Sequence, residues 1–198
     1  MDAIEAMETC RAIRYLKPDP VPEELLRRVL HAATRASNPG NSQGWDFVVL
    51  RDAAKKKRIC ETLEETMGPA IDAIDPGDDP VQRRVLAGAS HLIHHLDRVP
   101  VLVFVCGRPV YPPGAPSEQM VWSALYPAAQ NLIVAARSLG LGSTFTTFHL
   151  AGEAVVRETL GIPPEVRIAV TIALGYPDRA FGPVARKPLD EVLHWDHW

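Results

Sequence analysis

Two arginines three residues apart, Arg11 and Arg14 in "CRAIRYL", are of a type and spacing that suits chemistry. On one helix face, or on the turn leaving a helix, two guanidiniums so placed form a fork for a phosphate. Two solvated surface arginines would show the same spacing. A second place is "ASNPGNSQGWDF", where Asn41 and Gln43 alternate on an extended or turning backbone. Their amides offer donors and acceptors together, as a uracil-like ring edge or a polyol chain requires. Taken alone, the run also fits a loop that closes a helix, with Gly40 or Asn38 as its left-handed cap. The third place is "LGLGSTFTTFH". Its glycines follow a helix and precede a strand, the reverse of a dinucleotide fingerprint, so they admit a close backbone approach or simply end the helix. Thr144, Thr146 and Thr147 alternate partly with Phe145 and Phe148, as an ordinary half-buried strand does. His149, next in line, is a proton-donor candidate or a packed residue, and Arg186 with Lys187 forms another basic pair near the end.

His91, His94 and His95 share part of a helix surface. Adjacent histidines point apart, no acidic residue is spaced to complete a site and His-Glu-x-x-His is absent, so no metal is expected. Cys10, Cys60 and Cys106 have no CxxC spacing and read as reduced, buried thiols.

The elements that must position these groups fit a chain of 198 residues with 46% hydrophobic and 23% charged residues, an ordinary globular composition. A single domain over residues 1–198 is expected, with no low-complexity linker. A formal charge of −3 gives no general attraction for nucleic acid or anionic membranes. "MDAIEAMETC" lacks a signal-peptide pattern and no apolar run approaches the ~20 residues of a membrane span, which suggests a cytoplasmic protein.

"PEELLRRVLHAATRAS" has a helical period with Pro22 suited to the first helical position. "DFVVL" reads as a mostly buried strand, and "AAKKKRICETLEETM" as a helix ending near Met67. "GPAIDAIDPGDDP" reads as a loop or flap. A helix in "VQRRVLAGASHLIHHLD", a strand in "PVLVFVC", a Pro-rich loop, a helix from about Glu118 to Leu139, and strands in "STFTTF" and "RIAVTIALG" around the helix "EAVVRETLG" follow. Strands spaced by helices favour a three-layer α/β or α+β sandwich. The tail, about residues 180–198, lacks either period and carries Phe181, Trp195 and Trp198, which need something to pack on, such as a partner subunit.

Taken together, "CRAIRYLKPDPVPEELLRRVLHAATRASNPGNSQGWDFVVLRD", "QNLIVAARSLGLGSTFTTFH", "ALGYP", "RKP" and the "HWDHW" tail resemble the FMN-dependent nitroreductase family over nearly the whole chain. The resemblance implies an α+β fold, a three-layer α/β/α sandwich around a mostly antiparallel mixed sheet, with a C-terminal extension wrapping the partner of a homodimer. It implies FMN at the subunit interface, with Arg11, Ala12 and Arg14 at the phosphate and pyrimidine side, Asn41 and Gln43 at the ribityl chain or ring, and Arg186 completing the phosphate site. Thr147 and Phe148 would bring a backbone N–H near flavin N5, with Gly142 and Ser143 just upstream. Hydride would pass from NADH or NADPH through N5 to a small-molecule acceptor, a nitroaromatic or quinone, by a ping-pong route. No protein nucleophile is implied, and Arg14 would support the negative charge of the reduced ring. Relatives commonly carry Arg-Arg-Ser where this chain has Cys10, Arg11 and Ala12, and Pro where it has Gly44. A non-catalytic flavin-binding protein of the same fold is the alternative those losses allow.

Overall fold

The computed structural model describes all residues, Met1–Trp198. In chain order the elements are α1 (Ala3–Thr9), α2 (Glu23–Ala33), β1 (Trp45–Leu50), α3 (Ala53–Asp72), α4 (Pro80–His94), β2 (Val101–Gly107), α5 (Glu118–Ser138), β3 (Gly142–Thr146), α6 (Glu153–Leu160) and β4 (Arg167–Gly175). Asp2, Asp52 and Asp79 cap α1, α3 and α4, each carboxylate accepting from a first-turn amide. Pro22 is the residue before α2 rather than its first turn, where Glu23 and Glu24 meet the positive end of the dipole.

Helix α3 does not stop near Met67. It continues through Gly68 and Pro69 to Asp72, taking in the start of the segment expected to be a loop. Long-range contacts hold this last part. The Asp72 carboxylate accepts from Ser90 Oγ at 2.7 Å and pairs with His94 Nε2 at 2.8 Å, both on α4, while Ile71 packs on the core.

The strands pair in the order β1-β2-β4-β3, and every neighbouring pair is antiparallel. Alternation along the two central strands divides the core in two. Val101, Val103 and Val105 face α2 and α5, where Val29, Leu125 and Leu132 are buried. Leu102, Phe104 and Cys106 face the opposite layer, against Ile59 and Leu63 of α3, Leu92 of α4 and Val156 of α6. A bulge between Val105 and Cys106 shifts the register, so that consecutive Ala169 and Val170 both reach the α2/α5 side. The result is the expected three-layer sandwich. Covered on both faces, β2 is buried throughout, whereas β1 is only half-buried because it lies at the sheet edge. No helix is long and apolar enough to cross a membrane.

The tail runs back along the N-terminal segment at first: Lys17 N–H donates to the Tyr176 carbonyl at 2.8 Å, Asp178 N–H to Tyr15 at 2.9 Å and Val184 N–H to Glu8 at 2.9 Å. Arg137 covers the Phe181 ring at 4.0 Å. Beyond Val184 the hydrogen bonds stay within the tail, and Trp195 and Trp198 are 75% and 98% exposed. Phe181 thus packs on Arg137, whereas Trp195 and Trp198 find no packing surface on the body of their own chain.

Candidate functional site

Helix α1 ends at Thr9, so Arg11 and Arg14 lie on irregular chain beyond it and not on a helix face. That chain is stitched to β3. Ile13 is buried, its N–H donates to the Ser143 carbonyl at 2.9 Å, and Thr144 Oγ1 donates to the Ile13 carbonyl at 2.6 Å. Gly142 eases this crossing, since a Cβ there would lie 3.0 Å from both Ile13 Cγ2 and Leu16 Cδ2 and would push those side chains aside. A tolerance for close approach is therefore what this glycine supplies.

The two guanidiniums leave the segment towards different neighbours. Arg11 is exposed and donates to the Ala180 carbonyl at 2.9 Å, which draws the base of the tail to the site. Arg14 is half-buried and passes Gly88 of α4, where a Cβ would come within 3.0 Å of its Cδ. Burial alone lowers its affinity for the proton, with no carboxylate beside it to offset that loss. A partly desolvated, unpaired cation is uncommon because such charges are normally matched. Ala12 is exposed beside it, and the Ser143 hydroxyl forms no hydrogen bond within the chain. Cys10 is turned away, its thiol directed at the Ile133 carbonyl 3.5 Å off.

At the far end of β3 the Thr146 hydroxyl accepts from Phe148 N–H at 2.9 Å and ends the strand. Of the two backbone donors expected here, Phe148 is thus engaged by its neighbour, while the exposed Thr147 N–H meets no acceptor in the chain. His149 is a packed residue. It is fully buried, with Nε2 3.2 Å from the Ile168 carbonyl and Nδ1 3.1 Å from Thr171 Oγ1. Burial holds its pKa below the ordinary imidazole value, so the ring is neutral, donating from Nε2 and accepting from Thr171.

Asn41 and Gln43 are not on extended chain. They belong to a tight turn in which Gly40, Asn41 and Gln43 all have left-handed φ, at 58°, 49° and 51°. This turn lies well past α2, which is closed by Thr34 in ordinary helical geometry, so neither Gly40 nor Asn38 is the cap of that helix. Gln43 N–H donates to Asn38 Oδ1 at 2.8 Å, and the amide groups of Asn41 and Gln43 are exposed and unpaired. Left-handed geometry costs most non-glycine residues roughly 1–2 kcal/mol and asparagine less, so the strain falls chiefly on Gln43, which needs outside support. Tyr111, quoted in the sequence only as part of the Pro-rich loop, provides part of it by lying on Gly40. Nothing in the periodicity could have paired residues so far apart.

The sheet separates these groups. β1 starts opposite Gly107, the end of β2, whereas β3 starts opposite Gly175, the end of β4. Asn41 and Gln43 therefore adjoin one corner of the sheet, and Arg11, Arg14 and Ser143 the diagonal one. Strand rise and spacing put the corners roughly 25 Å apart. Arg186 is exposed, hydrogen-bonded only to the carbonyl before it, and follows Val184, which is tied to Glu8 near the arginine corner. The buried thiols Cys60 and Cys106 have pKa values pushed up to about 12, chiefly by burial, which leaves them unreactive.

Residues 8–176 match the family described as Nitroreductase family, and the chain belongs to it. The NADH dehydrogenase of Thermus thermophilus is 30% identical, covering 98% of this chain and 96% of that one. Iodotyrosine deiodinase 1 of Rattus norvegicus is 28% identical over 96% of this chain and 67% of its own length. Among solved structures, an FMN- and NADPH-dependent nitroreductase from Sphigopyxis sp. strain HMH superposes with a TM-score of 0.75 at 22% identity, all of both chains being covered.

Proposed function

We propose that this chain, one domain over residues 1–198, forms a homodimer that holds FMN and uses NADH or NADPH to reduce a small organic acceptor such as a nitroaromatic or a quinone. The observation that carries the proposal is Arg14, a half-buried guanidinium that passes Gly88 of α4 and has no partner in the chain. A bound anion would satisfy it. When bound, FMN supplies the two-electron hydride chemistry.

This chain's residues then have distinct tasks. Arg11 and Arg186 would hold the phosphate with the backbone at Ala12, Arg14 would favour negative charge on the ring, and Gly142 would let the backbone approach. Thr147 N–H, free where Phe148 N–H is not, would donate to the ring edge. Asn41 and Gln43 sit at the opposite corner, so those facing the same ligand would come from the second copy. The unpacked tail beyond Val184 suits that assembly. The names of the relatives agree with a nicotinamide donor and include a deiodinase, so halogenated phenols join the acceptors worth testing.

The test is a visible spectrum of the purified protein, followed by NADH and NADPH added separately without oxygen. Yellow absorbance that bleaches is expected and identifies the donor. A colourless protein that ignores added FMN would overturn the proposal in favour of a protein that keeps the fold without turnover.

A further inference from the structure

We infer that Tyr111 is a positioning residue, holding the strained turn that presents Asn41 and Gln43; its effect on cofactor affinity rests on the FMN proposal above. Three non-glycine residues in the chain have left-handed φ, and two of them, Asn41 and Gln43, are in this turn. Conformations of that kind persist only where surrounding structure over-determines them.

The hydrogen bonds inside the turn are few: Asn41 N–H to the Asn38 carbonyl at 3.2 Å, Ser42 N–H to Pro39 at 3.1 Å and Gln43 N–H to Asn38 Oδ1 at 2.8 Å. The rest of the support comes from the chain after β2, which lies along the turn. Arg108 N–H donates to the Gly44 carbonyl at 3.0 Å, and a Cβ on Gly44 would lie 2.6 Å from Val110 Cγ2. A Cβ on Gly40 would lie 2.2, 2.7 and 2.9 Å from Cε2, Cδ2 and Cζ of Tyr111, inside the ring's own volume. The ring therefore occupies the space a side chain at residue 40 would take. Tyr111 is itself held, because its carbonyl accepts from Ser117 N–H at 3.0 Å and Arg108 is tied to Asp46 at 2.9 Å. Its hydroxyl makes no hydrogen bond, which assigns the effect to the ring's shape and not to its polarity.

With the ring gone, the turn is free to leave its left-handed geometry, and the two amides lose their preset direction. Preorganisation lost in this way weakens binding without removing any ligand contact. Two readouts separate this inference from the FMN proposal. The first needs no cofactor: amide hydrogen exchange at Gln43 should be accelerated by Tyr111→Ala and should be unchanged in Tyr111→Phe. Unchanged exchange in Tyr111→Ala would overturn the inference whatever the protein binds.

The second is FMN affinity of the full-length apoprotein, followed by quenching of FMN fluorescence. Tyr111→Ala should bind about tenfold more weakly. Tyr111→Phe should match the wild type, and Tyr111→Ala added to Asn41→Ala/Gln43→Ala should cost little more than the double change alone, because the ring acts through those amides. A full additive loss in the triple variant would overturn the positioning role. If the wild type takes up no FMN, or the double variant binds it undiminished, the FMN assignment of the turn falls, and exchange at Gln43 alone decides the role of Tyr111.

Discussion

The two corners of the sheet that carry the proposed ligand-facing groups are built in opposite ways. At the arginine corner the backbone is anchored by buried Ile13, the Ile13–Ser143 hydrogen bond and the Thr144 hydroxyl, while the guanidinium of Arg14 is left without a partner. At the amide corner the backbone itself is strained, with Gly40, Asn41 and Gln43 left-handed beneath Tyr111. One corner stores an unmatched charge and the other a conformation that costs energy. A site can thus be prepared either electrostatically or sterically, and this chain places the two kinds at diagonal corners of its sheet.

The comparison breaks most completely if the corners are never brought together. Removing the chain after Pro183 deletes the Val184–Glu8 hydrogen bond, Arg186, Trp195, Trp198 and the segment beyond Val184 whose hydrogen bonds are only internal. The expected outcome is a monomer in light scattering that no longer retains FMN. A truncated protein that is still dimeric would remove the role given to the tail.

Substitutions at single corners should differ in size. Arg14→Ala removes a charge-assisted contact, an expected loss of about 2–3 kcal/mol, or roughly 30- to 150-fold in FMN affinity. Asn41→Ala or Gln43→Ala removes a neutral hydrogen bond, about 1 kcal/mol or roughly fivefold each. Mixing the two defects tests the geometry. Dimers combining an Arg14→Ala chain with an Asn41→Ala/Gln43→Ala chain should recover one intact site per dimer, read as FMN stoichiometry and donor-driven bleaching. Were each site assembled within one chain, mixing would recover none.

Much of the arginine corner was legible in the sequence as residue type, but not as geometry. Arg11 and Arg14 could be singled out, yet their separation from α1 and the crossing of Ile13 over Gly142 are long-range facts that spacing along the chain does not contain. At the amide corner the expectation of alternating side chains failed because period two presumes extended backbone, and the left-handed residues there break that period. The family resemblance pairs Phe148 with Thr147 as a donor, and the sequence reads both as part of the strand in "STFTTF". Only the Thr146 hydroxyl, folding back on the Phe148 amide, tells them apart. The helices and central strands were readable for a simpler reason: their apolar period is repeated over many residues, so one misplaced contact cannot erase it. The exception, the last part of α3, is held by Asp72 contacts to α4 and not by its own pattern.

The smallest effect separates the corners by their response to acid. Arg14 packs against Gly88 of α4, and α4 is tied to α3 through His94, whose Nδ1 lies 2.9 Å from Glu64 and Nε2 2.8 Å from Asp72. Hydrogen bonding to Glu64, then to Asp72, raises the His94 pKa, so its contribution is fully present below the ordinary imidazole value of about 6.5 and is lost as pH climbs through the raised value. His91 on the same helix has the opposite sign. Burial first, then the charge of His95, lowers its pKa, so its neutral form supports the fold above the ordinary value and stability is lost as pH falls. Buried His149 behaves as His91 does. Wild-type stability therefore includes contributions running both ways, and His94→Gln isolates one. The wild type should melt about 1–2 °C above this variant at pH 5.5, a modest gap because the ring is 32% exposed and solvent screens the pair, and the gap should close towards pH 8.5. Exchange of the α4 amides should follow the same trend, while Gln43 at the amide corner, whose turn is held by Asn38, Tyr111 and backbone contacts with no imidazole, should not. A melting gap that stays constant with pH would mean that His94 holds α3 to α4 by shape alone, and the arginine corner would then rest on a support that protons do not reach.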